Sequence, residues 1–419
     1  MSDTEHAHAA AHDHDDHPAL VHDAERLRRW RLVLGAGDAH HPDGTGVQLQ
    51  GDESRMDAAL SALYDAPPPG TRSGRRNSRA GGLAASAPSV VRWLGDIRRY
   101  FPSGVVQVMQ RDAIERLDLH RLLLEPEMLE AVEPDIHLVS TLLELRHLLP
   151  ETTRATARQV VAQVVAQIQA RLGQPTLQAV TGALTRTSRT RRPRHGDIDW
   201  DRTVRANLKH YQPALNTVVP ERLVGYARLG PAVRRELIIA IDQSASMGDS
   251  IVYASVFGAA LASIRSLRTR LVAFDTSVAD LSELLHDPVD VLFGVQLGGG
   301  TDLNGAITYC QTLVERPDET VLVLISDLYE GTPGGDYLAR LAALQRSGVR
   351  CVALLALSDD GAPSFDHIAA ETLAAAGVPA FACTPDAFPD LIAAAIERRD
   401  LNRWAGERGF PTVSSGRAR

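Results

Sequence analysis

At 419 residues, with 44% hydrophobic and 23% charged side chains, the chain has the composition of a folded protein of roughly two or three domains; wholesale disorder, collagen-like repeats and a disulfide scaffold are excluded. Its longest apolar runs, at 321–325 and 351–357, fall far short of the ~20 residues that cross a bilayer. The net charge of −8 hides a division: residues 71–235 hold 15 acidic and 26 basic groups, whereas residues 236–400 hold 23 acidic and 9 basic.

The first residues, MSDTEHAHAAAHDHDDHP, are too polar to bury a core, so 1–22 is expected to be a disordered His/Asp-rich tail. No charged-then-apolar leader precedes it, and a cytoplasmic protein without a membrane partner is expected. Helical spacing at 23–34 and 56–65 is followed by a Pro/Gly/Arg linker at 66–82. His40 and His41 sit in a Gly/Asp loop and read as solvated. Residues 83–230 are expected to form a mainly helical domain. Its 89–100 segment places Val90, Trp93, Leu94 and Ile97 on one face, and amphipathic runs follow at 104–123 and 135–150. Over 151–172, Val160, Val161, Val164, Val165, Ile168 and Leu172 predict a helix capped by Thr152 or Thr153 and stopped at Gly173. Trp93 and Trp200 read as packing anchors.

From 231 to 400 the pattern changes. Short apolar runs at 236–242, 270–275, 320–327, 350–357 and 379–384 are separated by helical or Gly-rich segments. Buried strands alternating with helices predict a doubly wound, mostly parallel α/β sheet, followed by a tail at 401–419. Ligands of such sheets bind beyond the carboxyl ends of the strands. Three cysteines, Cys310, Cys351 and Cys383, lack metal-like spacing and read as reduced core residues.

Three segments converge on that edge. The first strand runs into IDQSASMGDS with Asp242, Ser244 and Ser246; LGGGTDLNGAI carries Thr301 and Asp302; the strand at 320–327 delivers Asp327. Each alone reads as a helix cap or a tight turn. Together they form an all-oxygen donor set that suits Mg²⁺ or Mn²⁺ better than a soft-ligand metal. Met247 and Tyr329 flank these loops as candidates for lining a partner groove. Asp275 reads as a turn cap.

IDQSASM, GGGTD and LISDLYEG resemble the von Willebrand factor A (VWA) domain with its metal-ion-dependent adhesion site. The resemblance implies Ser244, Ser246 and Thr301 as hydroxyl ligands, Asp242 and Asp327 as an acidic pair working through water, and Asp302 behind them. It also implies an open metal position that accepts a Glu or Asp from a partner. WLGDIRRYFP, QVMQRDAIERL, DIDWDRTVRANLKHY and VPERLVGYARL, preceding the A domain, are similar to bacterial CoxE-like proteins over about 23–395. That resemblance implies a MoxR-type AAA+ ATPase partner and a role in maturing or remodelling clients, including insertion of metal cofactors.

An enzyme is not expected. The serines lack a G-x-S-x-G elbow, no phosphate-binding G-x-x-x-x-G-K-[ST] loop is present, and Lys209 is the sole lysine. The alternative is a Ro-like RNA-binding protein, which also joins a helical region to an A domain; Arg-rich segments at 72–79 and 186–205 would contact phosphates. With 5% aromatic residues there are few platforms for base stacking, so nucleic acid is not the expected partner.

Overall fold

The computed structural model describes residues 25–32, 47–64, 87–117, 119–187, 189–190, 193–226, 235–294, 300–331, 336–358 and 364–413. The expected tail at 1–22, the linker at 66–82, and His40 and His41 lie outside the described residues. The chain divides into two compact units, Met1–Glu133 and Pro134–Arg419.

The first unit is helical: a helical stretch over 25–32, then α1 (Asp52–Tyr64), α2 (Ala87–Tyr100), α3 (Ser103–Arg116) and α4 (Pro126–Ala131). The predicted face of α2 is its buried face, and Trp93 Nε1 donates to the Ala59 carbonyl at 2.9 Å, anchoring α2 on α1. The expected run over 104–123 breaks at Leu117, and a 3₁₀ segment over Leu119–Leu124 takes up its second half.

The second unit opens with α5 (Ile136–Leu145), whose N-cap Asp135 accepts from Leu138 N at 2.7 Å, and α6 (Glu151–Thr187). The expected end of α6 at Gly173 is corrected. The helix runs through Gly173 and Pro175, because the buried stripe continues through Leu172, Thr176, Val180, Ala183 and Leu184. Proline lacks an N–H and displaces one backbone hydrogen bond. Thr176 Oγ1 donates to the Leu172 carbonyl at 2.6 Å beside it. The expected Thr cap is corrected too: Thr153 N and Arg154 N donate to the Pro150 carbonyl, and Thr153 is buried within the first turn. A short α7 (Trp200–Ala206) follows.

Six strands then form one sheet: β1 (Arg235–Asp242), β2 (Leu267–Phe274), β3 (Val278–Asp280), β4 (Thr320–Ile325), β5 (Arg350–Leu357) and β6 (Ala380–Cys383), in the order β6-β5-β4-β1-β2-β3. All pairings are parallel except that of β3, a short edge strand not expected from the sequence. The order reverses at β1 and β4, which opens the crevice where parallel sheets hold ligands. α8 (Gly248–Ala262), α9 (Pro288–Gly294), α10 (Leu303–Leu313), α11 (Tyr337–Ser347), α12 (His367–Ala375), α13 (Phe388–Ile396) and α14 (Leu401–Glu407) complete the unit. One core joins β1, β2, β4 and β5 to α10, α11 and α12 through residues such as Ile238, Phe274, Ile307, Leu324 and Leu373. α5 and α6 pack on α8, and α6 packs on α13. Helices that the sequence groups with an N-terminal domain thus share a unit with the sheet.

Candidate metal-binding site

Asp242 ends β1, the central strand, and is fully buried. Its Oδ1 accepts from Ser244 N at 2.9 Å and its Oδ2 from Ser326 Oγ at 2.8 Å. Ser246 lies in the 3₁₀ turn that leads into α8; its Oγ donates to Asp327 Oδ2 at 2.8 Å and lies 3.2 Å from Ser244 Oγ. Asp327 follows β4, and its carbonyl accepts from Asp366 N at 2.9 Å. Four of the predicted residues, Asp242, Ser244, Ser246 and Asp327, therefore meet at the carboxyl ends of the two central strands.

Thr301 and Asp302 arrive by a different route. Asp302 caps α10, accepting from Gly305 N at 2.7 Å, while its own N donates to the Asp275 carbonyl at 2.7 Å. The Thr301 carbonyl accepts from Gly331 N at 2.8 Å, which ties the loop after β4 to the segment before α10. A Cβ at Gly331 would lie 2.9 Å from Thr301 N, so only glycine permits this approach. Thr301 is buried beside this seam, and no hydrogen bond among the described residues joins its hydroxyl to the other four. Asp302 serves as a helix cap. Asp275 caps a turn, accepting from Ser277 N and Oγ at 2.6 and 2.9 Å.

Ser326 was not read from the sequence as part of the site. It is fully buried, donates to Asp242 and accepts from Leu328 N at 3.0 Å. Its only signal is its place between the β4 run and Asp327. Met247 is corrected: it is buried and lines no open surface, whereas Tyr329 is 48% exposed. Tyr329 follows Leu328, whose φ of +67° turns the chain sharply, and its Oη lies 2.9 Å from Ser364 Oγ.

Burial pushes the Asp242 carboxyl up to about 6, and the nearby Asp327 charge adds to the effect; hydrogen bonds from Ser244 and Ser326 oppose it. Two carboxylates and two convergent hydroxyls, with no lysine or arginine bonded to them among the described residues, match the demand of a hard divalent cation for oxygen donors. Among the described residues no group of three or more His, Cys, Asp or Glu could hold a metal, so hydroxyl donors would have to share the work. Cys310, Cys351 and Cys383 are free and buried, and burial pushes each thiol up to about 12.

The segment carrying these serines is held from behind. Ser140 on α5 donates from Oγ to Asp249 Oδ1 at 2.8 Å, and His137 Nδ1 lies 3.1 Å from Asp249 Oδ2. A Cβ at Gly248 would lie 2.9 Å from Ser140 Cβ, so α5 touches the first turn of α8 at its backbone.

The family model for the VWA domain containing CoxE-like protein matches residues 169–391. The chain belongs to this family. The uncharacterized protein YehP of Escherichia coli (strain K12) is 33% identical over 364 residues, spanning 86% of this chain and 93% of that protein. Among solved structures, conserved hypothetical protein BatB from Bacteroides thetaiotaomicron is 16% identical with a TM-score of 0.31, covering 39% of this chain and 98% of that one. An aerotolerance-related membrane protein from Bacteroides fragilis, carrying multiple mutations to serines, is 14% identical with a TM-score of 0.29, covering 39% and 99%. The CoxE-like match begins inside α6, in keeping with the shared unit of α6 and the sheet. No helix among the described residues is long and apolar enough to cross a membrane.

Proposed function

We propose that this CoxE-like protein is a non-catalytic, metal-dependent protein-binding adaptor of the cytoplasm, acting with a MoxR-type AAA+ ATPase in client maturation or remodelling. The observation that carries the reading is the convergence of Asp242, Ser244, Ser246 and Asp327 at the switch point of the sheet. Ser244, Ser246 and Thr301 would hold Mg²⁺ (or Mn²⁺) directly, with Asp242 and Asp327 balancing its charge. The bound ion would supply a Lewis-acidic position able to take a carboxylate from the partner. Ser326 keeps Asp242 aimed by bonding its Oδ2, and Asp302 fixes the start of α10 beside Thr301.

Buried thiols, and the absence among the described residues of a His or Lys side chain bonded to either serine, support a binding role over a catalytic one. The test uses the full chain and a purified MoxR-type ATPase. The wild type melts higher in Mg²⁺ than in EDTA and retains the ATPase only with Mg²⁺. Asp327→Ala abolishes both differences while keeping its fold by circular dichroism. An Asp327→Ala variant that retains the ATPase in Mg²⁺ as fully as the wild type does, or a wild type that retains it equally in EDTA, overturns the metal-bridged reading.

A further inference from the structure

The two serines reach the metal site on a short tether. β1 ends at Asp242, a single 3₁₀ turn spans Ala245–Met247, and α8 starts at Gly248 with no residue between. Met247 N donates to the Ser244 carbonyl at 2.9 Å, which closes that turn, and the Met247 side chain is fully buried. A shift in the first turn of α8 therefore passes straight to Ser246, whose hydroxyl has to meet Asp327 and Ser244.

That first turn is pinned to two other elements. Ser250 Oγ accepts from Leu357 N, at the end of β5, at 3.0 Å. The second set of pins comes from α5. Ser140 Oγ lies 2.8 Å from Asp249 Oδ1 and 3.2 Å from the Ile136 carbonyl. One proton serves both, and the shorter contact, to a charged acceptor, is the stronger. His137 Nδ1, three residues earlier on α5, lies 3.1 Å from the other Asp249 oxygen. Both oxygens of Asp249 thus engage α5, and Gly248 leaves no gap between the helices, since a Cβ there would lie 2.9 Å from Ser140 Cβ. Neither Ser140, His137 nor Asp249 belongs to the predicted donor set; they act on the serines that do.

We infer, building on the metal-binding reading proposed above, that Ser140 and Asp249 are positioning residues of the metal site and that the seating of α5 on α8 sets its affinity for Mg²⁺. Mg²⁺ demands near-octahedral oxygens at about 2.0–2.1 Å, whereas Ca²⁺ accepts a flexible shell at about 2.3–2.6 Å. Loosening Ser244 and Ser246 by a fraction of an ångström therefore penalises Mg²⁺ more than Ca²⁺, a signature that general loss of structure does not give. The linkage is reciprocal: an ion that tightens the serine loop also tightens α5 on α8. α5 follows directly on Glu133, where the first unit ends, so a rearrangement that lifts α5 from its seat is transmitted to the metal site.

The test titrates the full chain with Mg²⁺ and with Ca²⁺ by calorimetry and follows hydrogen exchange over 244–250 in EDTA. Ser140→Ala, Asp249→Ala and Gly248→Ala, the last driving a methyl group into Ser140, each weaken Mg²⁺ binding about tenfold and Ca²⁺ binding less, with unchanged circular dichroism. Adding Ser140→Ala to Asp249→Ala weakens binding no further, because the bond is already gone. In EDTA the same variants speed exchange over 244–250 and leave β1 and β4 as in the wild type. A wild type that binds Mg²⁺ while the variants bind it as tightly overturns the inference alone, as does an equal loss for both ions or a further loss in the combined variant. A wild type that binds neither ion overturns the metal-binding reading and this inference together. Unchanged exchange in EDTA overturns the clamp whatever the metal does.

Discussion

The sheet and the Trp200–Arg222 segment are ordered by opposite means. In β1, every residue from Glu236 to Asp242 is buried, and the strand stands between two parallel neighbours with apolar side chains on both faces. In the other segment, Thr203 and Asn207 hold the chain by side-chain bonds to backbone while the apolar residues face out. The first arrangement draws its stability from apolar area removed from water, the second from satisfied polar groups. An element stabilised by its own burial keeps its apolar residues; one stabilised by hydrogen bonds leaves them available to a partner.

Substitutions sharpen this contrast. Phe274→Ala, at a fully buried ring on β2, is expected to cost about 3–5 kcal/mol in denaturant unfolding. Asn207→Ala removes four hydrogen bonds at once, yet its effect is local: hydrogen exchange accelerates across 200–222 while the melting temperature of the sheet changes little. A large fall in global stability with unchanged local exchange would reverse the comparison. The thiols probe the same burial chemically. With each pushed up to about 12, Cys310, Cys351 and Cys383 should ignore a thiol reagent at pH 8 until the protein is unfolded, when all three react. Rapid labelling of even one in the native protein would contradict the packing around it. Smallest is the effect of Arg154→Gln, which breaks an exposed pair with Glu151 at 2.6 Å and should cost less than about 1 kcal/mol.

The sheet was legible because its strands are continuous apolar runs, and the meeting of Asp242, Ser244, Ser246 and Asp327 because these residues sit at fixed offsets from strand ends. What escaped depends on contacts distant in sequence. Gly173 and Pro175 are strong local stop signals, but α13 offers α6 an apolar surface that carries the helix past them. Strand β3 is three residues long and ends in a carboxylate, so its pairing with β2 leaves no run to read. Ser326 is inconspicuous until the fold brings it to Asp242 across two strands. Trp200 looked like a core residue because large aromatics usually are, and only the polar interior of its segment explains why it faces outward.

The contact of α5 with the first turn of α8 bears on how this protein can be taken apart. An excision beginning near residue 231 would keep every predicted metal ligand yet strip α5 and α6 from α8 and α13, baring the surfaces on which they pack. It would also remove the Ser140 hydroxyl from Asp249, one turn after the serine loop. The boundary set by ancestry and the boundary set by solvent differ here, and a fragment meant to behave like the parent has to begin before Pro134.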